Sequence, residues 1–316
     1  MAKVFIDGEA GTTGLGIRDR LSKLPGIELI SLADAVRKDY GARLEAMKAA
    51  DLVVLCLPDE AAKDAAAMAS GLGQDAPKLL DASSAHRTAP GWVYGFPELS
   101  PTSALEIIQA PRVSNPGCYA TGAIGLLRPL IAAGLLENDR EITINAVSGY
   151  SGGGKSMIAE HEAKGGPAFQ LYALGLTHKH VPEIMLHSGL TQRPIFVPSV
   201  GHFRQGMLVS IPLFRDCLNG APSARDVIAT YEAAYGAAGK VIVHHQGEVH
   251  ELTPLDKHGT DTMELFVFEN EQHGHMILVA QLDNLGKGAS GAAVQNISLM
   301  LGLMDANLKM QELANA

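Results

Sequence analysis

Lys3-Val4-Phe5-Ile6-Asp7-Gly8-Glu9-Ala10-Gly11-Thr12-Thr13-Gly14-Leu15 is the stretch that decides the fold. Its apolar start reads as a buried strand, and helical periodicity runs from Leu15 to Leu24. Three glycines spaced three apart join the two. Such a turn lets the backbone approach a pyrophosphate at the N-terminus of the following helix. The spacing is not the commoner GxGxxG, and a plain glycine turn is the bland alternative. The position at the first strand of an alternating pattern favours the dinucleotide.

Outward from this turn the alternation continues. Strands are predicted at Ile27–Leu32, Asp51–Leu57 and Lys78–Asp81, with helices at Ala42–Ala50 and Ala61–Ser70. Strands separated by helices imply right-handed crossovers and a parallel, doubly wound sheet. After about residue 140 six further strands are expected with few helices between them, from Glu141–Val147 to His275–Gln281. That pattern suits a largely antiparallel α+β domain. A last helical stretch covers Gly291–Leu308. The expected domains are 1–117 for the cofactor, 118–285 for the substrate, and a C-terminal helix within 286–316 that returns to the first.

Composition narrows the function. The 316 residues are 47% hydrophobic and 19% charged, as in an ordinary globular protein. A net charge of -9 without a basic run disfavours nucleic acid. No apolar stretch approaches the ~20 residues that span a bilayer. Three cysteines make no disulfide framework, which leaves a reducing cytoplasm as the expected setting. No CxxC or HExxH spacing is present, and no metal is expected.

Beyond the second strand, Asp34 is placed to hold a ribose hydroxyl and Arg37 with Lys38 to hold a 2′-phosphate, so the residues leave NAD and NADP open. Ser114-Asn115-Pro116-Gly117-Cys118-Tyr119 puts Cys118 in the first turn of an apolar helix over 123–130, where backbone N–H groups stabilise a thiolate. A thiolate attacks an acyl group and leaves again from the thioester. Cys56, in its apolar strand, reads as a small buried hydrophobe, and Cys217 as an incidental loop residue. His178-Lys179-His180-Val181-Pro182-Glu183 gathers imidazoles, a cation and a carboxylate before a helix, and an imidazole there suits acid/base work beside a thiol.

Gly149-Tyr150-Ser151-Gly152-Gly153-Gly154-Lys155-Ser156 matches the phosphate-loop pattern G-x-x-x-x-G-K-[ST] and makes a nucleotide triphosphatase the main rival. Its mid-chain place, after a complete alternating unit, argues against that reading. A nicotinamide-sensing regulator with a dead site is a third class, and the intact Cys118 and His180 weigh against it.

With these residues the chain resembles N-acetyl-gamma-glutamyl-phosphate reductase, in its shorter branch. The similarity runs end to end. It rests on Gly8–Gly14, Asp81-Ala82-Ser83-Ser84-Ala85-His86-Arg87, Tyr94–Glu98, Ser114–Tyr119, Ser148–Lys155, His178–Glu183 and Asp283-Asn284-Leu285-Gly286-Lys287-Gly288-Ala289-Ser290-Gly291. Departures are Gly153-Gly154-Lys155, where the family often has Ala-Gly-Arg, and Ala120, where it often has Pro.

The resemblance implies a Rossmann domain with a glyceraldehyde-phosphate-dehydrogenase-like catalytic domain, NADPH as cofactor, and a step of arginine biosynthesis. It makes Cys118 the nucleophile, His180 the acid/base and Arg87 a phosphate ligand. The expected cofactor set is Gly8, Gly11, Thr12, Thr13, Gly14, Arg37, Lys38, Asn284, Lys287 and Gly288. The expected substrate set is Arg87, Ser151, Lys155, His202 and Arg204. The partners are a small acyl phosphate and further copies of the chain, as dimer or tetramer.

Overall fold

The computed structural model describes residues 1–236, 239–247 and 249–303. The described chain divides into two compact units, one built from Met1–Pro116 with the described residues from Ala289 to Leu303, the other within Gly117–Gly288.

The first unit runs β1 (Ala2–Asp7), α1 (Thr12–Leu21), β2 (Ile27–Ile30), α2 (Tyr40–Ala49), β3 (Leu52–Leu55), α3 (Asp59–Ser70), β4 (Lys78–Asp81), β5 (Val93–Tyr94), α4 (Ser103–Gln109) and β6 (Arg112–Ser114). The six strands lie in the order β2-β1-β3-β4-β6-β5, and every pairing is parallel. Successive residues of a strand face opposite sides, so one strand feeds two cores. Val4, Ile6, Leu52, Val54 and Leu80 pack on one side with Ile17, Leu21 and Ile107. Phe5, Val53, Leu55 and Leu79 pack on the other with Met47 and the alanines of α3. Each fully buried aliphatic side chain contributes about 1.5–3 kcal/mol.

The second unit runs α5 (Cys118–Ala132), β7 (Thr143–Gly149), α6 (Gly154–Lys164), β8 (Phe169–Leu171), α7 (His180–Ser188), β9 (Ile195–Gly201), β10 (Met207–Phe214), α8 (Ala224–Tyr235), β11 (Val241–Val243), β12 (Met263–Asn270) and β13 (His275–Leu282). Its seven strands are ordered β11-β12-β13-β10-β7-β9-β8. The sheet is mixed: β7 with β9 and β11 with β12 are parallel, and the other pairings are antiparallel. Three helices, α6, α7 and α8, lie among these strands, α7 where a helix was expected beside His178–Glu183. α5 covers one face, with Gly122 against Val209 and Gly125 against Met263. The opposite face leaves Pro212, Phe214, Ile195 and Ile277 exposed.

The last element among the described residues is α9 (Gly291–Met300), whose Ala293 and Ile297 complete the first core. The sequence pattern carries this helix to Leu308. It ends at Met300 instead, where Gly302 turns the backbone with φ +68. Residues 304–308 of that expectation lie outside the described residues.

Candidate active site

In the first unit the glycine turn leads from β1 straight into α1. Gly8 has φ +88, and a Cβ there would sit 2.3 Å from the Cys56 carbonyl oxygen, so only glycine fits. Gly11 caps α1 without a side-chain hydrogen bond, although the first N–H groups of a helix have no partner within it. Thr12 Oγ1 is buried without a hydrogen-bond partner. Thr13 and Gly14 complete this first turn. Bare donors and an orphaned hydroxyl at one helix start fit a dinucleotide phosphate.

Arg37 pairs with Asp34 at 3.4 Å on the surface, and Lys38 beside them is exposed. Arg87 donates from Nε to the Asn115 carbonyl at 3.0 Å. In the same motif, the buried Asp81 holds Ser83 and lies 2.6 Å from Nδ1 of His86, which stacks on Trp92. Burial, then the carboxylates of Asp81 and Asp7, pushes the Cys56 thiol up to about 12. That cysteine stays a thiol at neutral pH.

In the second unit Cys118 is the first residue of α5. The Gly117 N–H before it donates to the buried Glu183 carboxylate at 2.8 Å. Glu183 sits on α7, one turn from His180, so one helix grips the cysteine turn and carries the imidazole. The rings of His178 and His180 lie 5.9 and 5.8 Å from the ring of Tyr119, the neighbour of Cys118. Tyr172 Oη lies 3.3 Å from His178 Nε2, and His178 Nδ1 accepts from the His180 N–H. Burial pushes the Tyr172 phenol up to about 12 and the Tyr119 phenol well above its usual range. Both remain protonated donors.

Gly288 lies against the cysteine: a Cβ at 288 would be 2.8 Å from that of Cys118. The buried Asp283 carboxylate fixes this segment by accepting from Gln205, Gly259, Leu285 and Gly286. Asn284 donates to Ser151 Oγ at 2.9 Å and accepts from the Gly206 N–H at 2.8 Å. Lys287 is buried. The structure thus joins Ser151, Asn284 and Gly288 to the surroundings of Cys118.

Lys155, His202 and Arg204 lie exposed beyond this group. His202 Nδ1 is 2.9 Å from Nδ1 of the buried His161, on which Tyr150 stacks, and Arg204 pairs with Glu162. The turn before α6 is no phosphate cradle. The N–H groups of Gly149, Tyr150 and Ser151 are spent on the carbonyls of Gly206, Phe203 and Arg204.

Sequence reasoning gave Asp283 no role beyond its motif, missed His161, and gave Glu183 no role beyond its motif. Their partners lie 24 to 78, 41 and 66 residues away, apart from two close backbone contacts of Asp283, so no local pattern marks them.

The family profile described as semialdehyde dehydrogenase, NAD binding domain, matches residues 3–107, and that described as semialdehyde dehydrogenase, dimerisation domain, matches 118–284. N-acetyl-gamma-glutamyl-phosphate reductase 2 of Pseudomonas putida is 50% identical over 310 residues, 96% of this chain and 98% of that protein. The reductase of the same name from Brucella ovis is 50% identical over 308 residues, 95% of this chain and 99% of that one. Among solved structures, aspartate semialdehyde dehydrogenase II of Vibrio cholerae shares the fold at TM-score 0.73 and 18% identity, covering 95% of this chain and 98% of that one. The aspartate semialdehyde dehydrogenase of Candida albicans, solved with NADP, does so at 0.64 and 14%, covering 96% and 100%. The chain belongs to the semialdehyde dehydrogenase family, among the N-acetyl-gamma-glutamyl-phosphate reductases.

Proposed function

We propose that the chain reduces N-acetyl-gamma-glutamyl phosphate to N-acetylglutamate semialdehyde and phosphate, in arginine biosynthesis, through a thioester on Cys118. The observation that carries this is the start of α5. There a cysteine occupies the first helical position, its turn held by Glu183, with two imidazoles flanking the next residue.

The Cys118 sulfur attacks the γ-carbonyl, the C–S bond forms, and the C–O bond to phosphate breaks. Arg87 is the cation assigned to the departing phosphate. The thioester would be reduced by the hydride that bound NADPH would supply. His180 protonates the resulting oxyanion, then removes that proton as the C–S bond breaks and the aldehyde leaves. The residues that would hold the cofactor are Gly8, Gly11, Thr12, Thr13 and Gly14, with Arg37, Lys38, Asn284, Lys287 and Gly288. Ser151, Lys155, His202 and Arg204 are assigned to the substrate.

An assay in the reverse direction tests this reading. With phosphate and NADP present, N-acetylglutamate semialdehyde should generate NADPH and aspartate semialdehyde should not. The opposite preference would move the chain to the substrate named for its structural neighbours.

A second copy is the occupant we assign to the open face of the second unit's sheet, which lies in the part matched by the dimerisation profile. A groove of about 700 Å³ there is lined by Thr143, Pro212, Phe214, Phe268, His275 and Ile277. Phe214→Glu should shift the mass in light scattering toward one chain. An unchanged mass would move the contact elsewhere. Among the described residues no helix is long and apolar enough to cross a membrane. Cys56, Cys118 and Cys217 are not joined in disulfides, which suits a reducing cytoplasm, the place of work we assign.

A further inference from the structure

In a cofactor-binding βαβ unit the tip of the second strand faces the adenosine ribose. An acid there takes the ribose hydroxyls of NAD, whereas a basic or hydroxyl-bearing site takes the 2′-phosphate of NADP. β2 ends at Ile30, and the residue at its tip is Ser31. The acid of this region, Asp34, comes three residues later with its side chain 94% exposed and paired to Arg37. The strand therefore offers a hydroxyl at its tip and no carboxylate.

A carboxylate does reach the tip, from the glycine turn. Glu9 Oε2 accepts from Ser31 Oγ at 3.3 Å and lies 3.4 Å from Arg18 Nη1 on α1. A hydroxyl and a guanidinium thus converge on one anionic oxygen, inside a turn shaped to receive anions. Nearby, Arg43 is committed to the buried Asp7 carboxylate, with Nη2 at 2.7 Å and Nε at 3.1 Å. Arg18 is half-exposed and pairs with Glu9.

We propose that Ser31 and Arg18 read the adenosine 2′-phosphate of NADP, and that Glu9 fills their anion position until the cofactor displaces it. The proposal rests on the NADPH reading above and names the residues that choose the cofactor. The incoming phosphate carries more charge and more acceptor oxygens than the carboxylate, so the exchange favours it. NAD has only a hydroxyl at that position and does not displace Glu9. The cost of moving Glu9 is then a filter against NAD. Arg37, already neutralised by Asp34, is secondary.

The test is calorimetric titration of the full chain with NADP⁺ and with NAD⁺, for the unmodified protein and for Arg18→Gln, Ser31→Ala, Glu9→Gln and the double variant Arg37→Ala/Lys38→Ala. Thermal melting confirms that each variant is folded. Loss of a charged hydrogen bond should make Arg18→Gln bind NADP⁺ about ten- to a hundredfold more weakly, with NAD⁺ unchanged. Ser31→Ala should weaken NADP⁺ in the same direction and by less. Glu9→Gln should tighten NADP⁺, because the competing charge is gone while the side chain keeps its shape. Weakening of NAD⁺ alone by Glu9→Gln would make Glu9 the ribose-hydroxyl acceptor and overturn the proposal. So would a loss of NADP⁺ preference confined to the Arg37/Lys38 variant, or equal effects of Arg18→Gln on both cofactors. If the unmodified chain binds neither dinucleotide, the cofactor reading falls first. If it binds NADP⁺ and none of the Arg18, Ser31 and Glu9 variants moves its affinity, the assignment alone falls.

Discussion

Two glycine turns look alike in this chain, Gly8–Gly14 before α1 and Gly149–Gly154 before α6, and the second is the closer match to a phosphate-loop pattern. Their surroundings reverse the ranking. The first leaves a parallel strand, caps its helix with a bare glycine, and buries a hydroxyl at Thr12 that has no partner. The second leaves a strand of a mixed sheet, and the N–H groups of Gly149, Tyr150 and Ser151 are already bonded to residues 203–206. A turn binds anions when its donors are unspent, and a pattern of residue types does not report that.

On this comparison the proposed catalysis sits at the starts of α5 and α7 and not at the turn before α6. His180→Asn should lower turnover by about 10²–10⁴-fold, the usual cost of losing acid/base help. It should leave NADP binding intact. A silent His180→Asn beside a crippled His178→Asn would move the role to the neighbouring imidazole.

Next in size is the first turn itself. Gly8→Ala forces a side chain against the Cys56 carbonyl at a φ of +88, a strain of about 1–3 kcal/mol. NADP affinity should fall by about tenfold or more as the turn shifts, read by titration. An unchanged affinity would mean that this turn does not hold the cofactor.

Two cysteines, Cys56 after β3 and Cys118 at the start of α5, sharpen the contrast through pH. Cys56, pushed up to about 12 by burial first, should resist iodoacetamide until strongly alkaline solution. Its raised value favours the protonated form in the fold. That contribution is whole below the ordinary thiol range and is lost as pH climbs toward about 12. Cys118 should be labelled at neutral pH, and peptide mass mapping separates the two.

The smallest effect is expected at Lys155. Lys155→Ala should change substrate KM by less than about tenfold, since exposed cations contribute little. ATP with magnesium should not bind before or after the change. Micromolar ATP binding that disappears in the variant would restore the triphosphatase.

Much of the first unit was legible because its strands are buried on both sides. Leu52–Leu55 is apolar at every position, and Ala-rich α3 keeps helical spacing. α1 was read three residues late because Gly14 and Gly16 make its first turns look like loop. β8 was invisible because it is only three residues long, Phe169-Gln170-Leu171, and all three are exposed. At the candidate site, Cys118 and His180 were legible through motif and resemblance. The geometry that organises them was not: Glu183 under Gly117, Asp283 under Gln205 and Gly259, and His161 beside His202 are pairings between distant segments. Glu9, lying inside the quoted turn, was passed over because a carboxylate in an anion site has no meaning until Ser31 and Arg18 are seen around it.

The central claim is covalent chemistry on Cys118, and one measurement reaches it directly. The protein is mixed with N-acetyl-gamma-glutamyl phosphate in the absence of NADPH, quenched in acid and weighed intact by mass spectrometry. The account predicts one N-acetylglutamyl group per chain, mapped to the peptide containing Cys118, absent in Cys118→Ser and discharged when NADPH is added before the quench. An unmodified mass with normal turnover, or an adduct on Cys56 or Cys217, would contradict it.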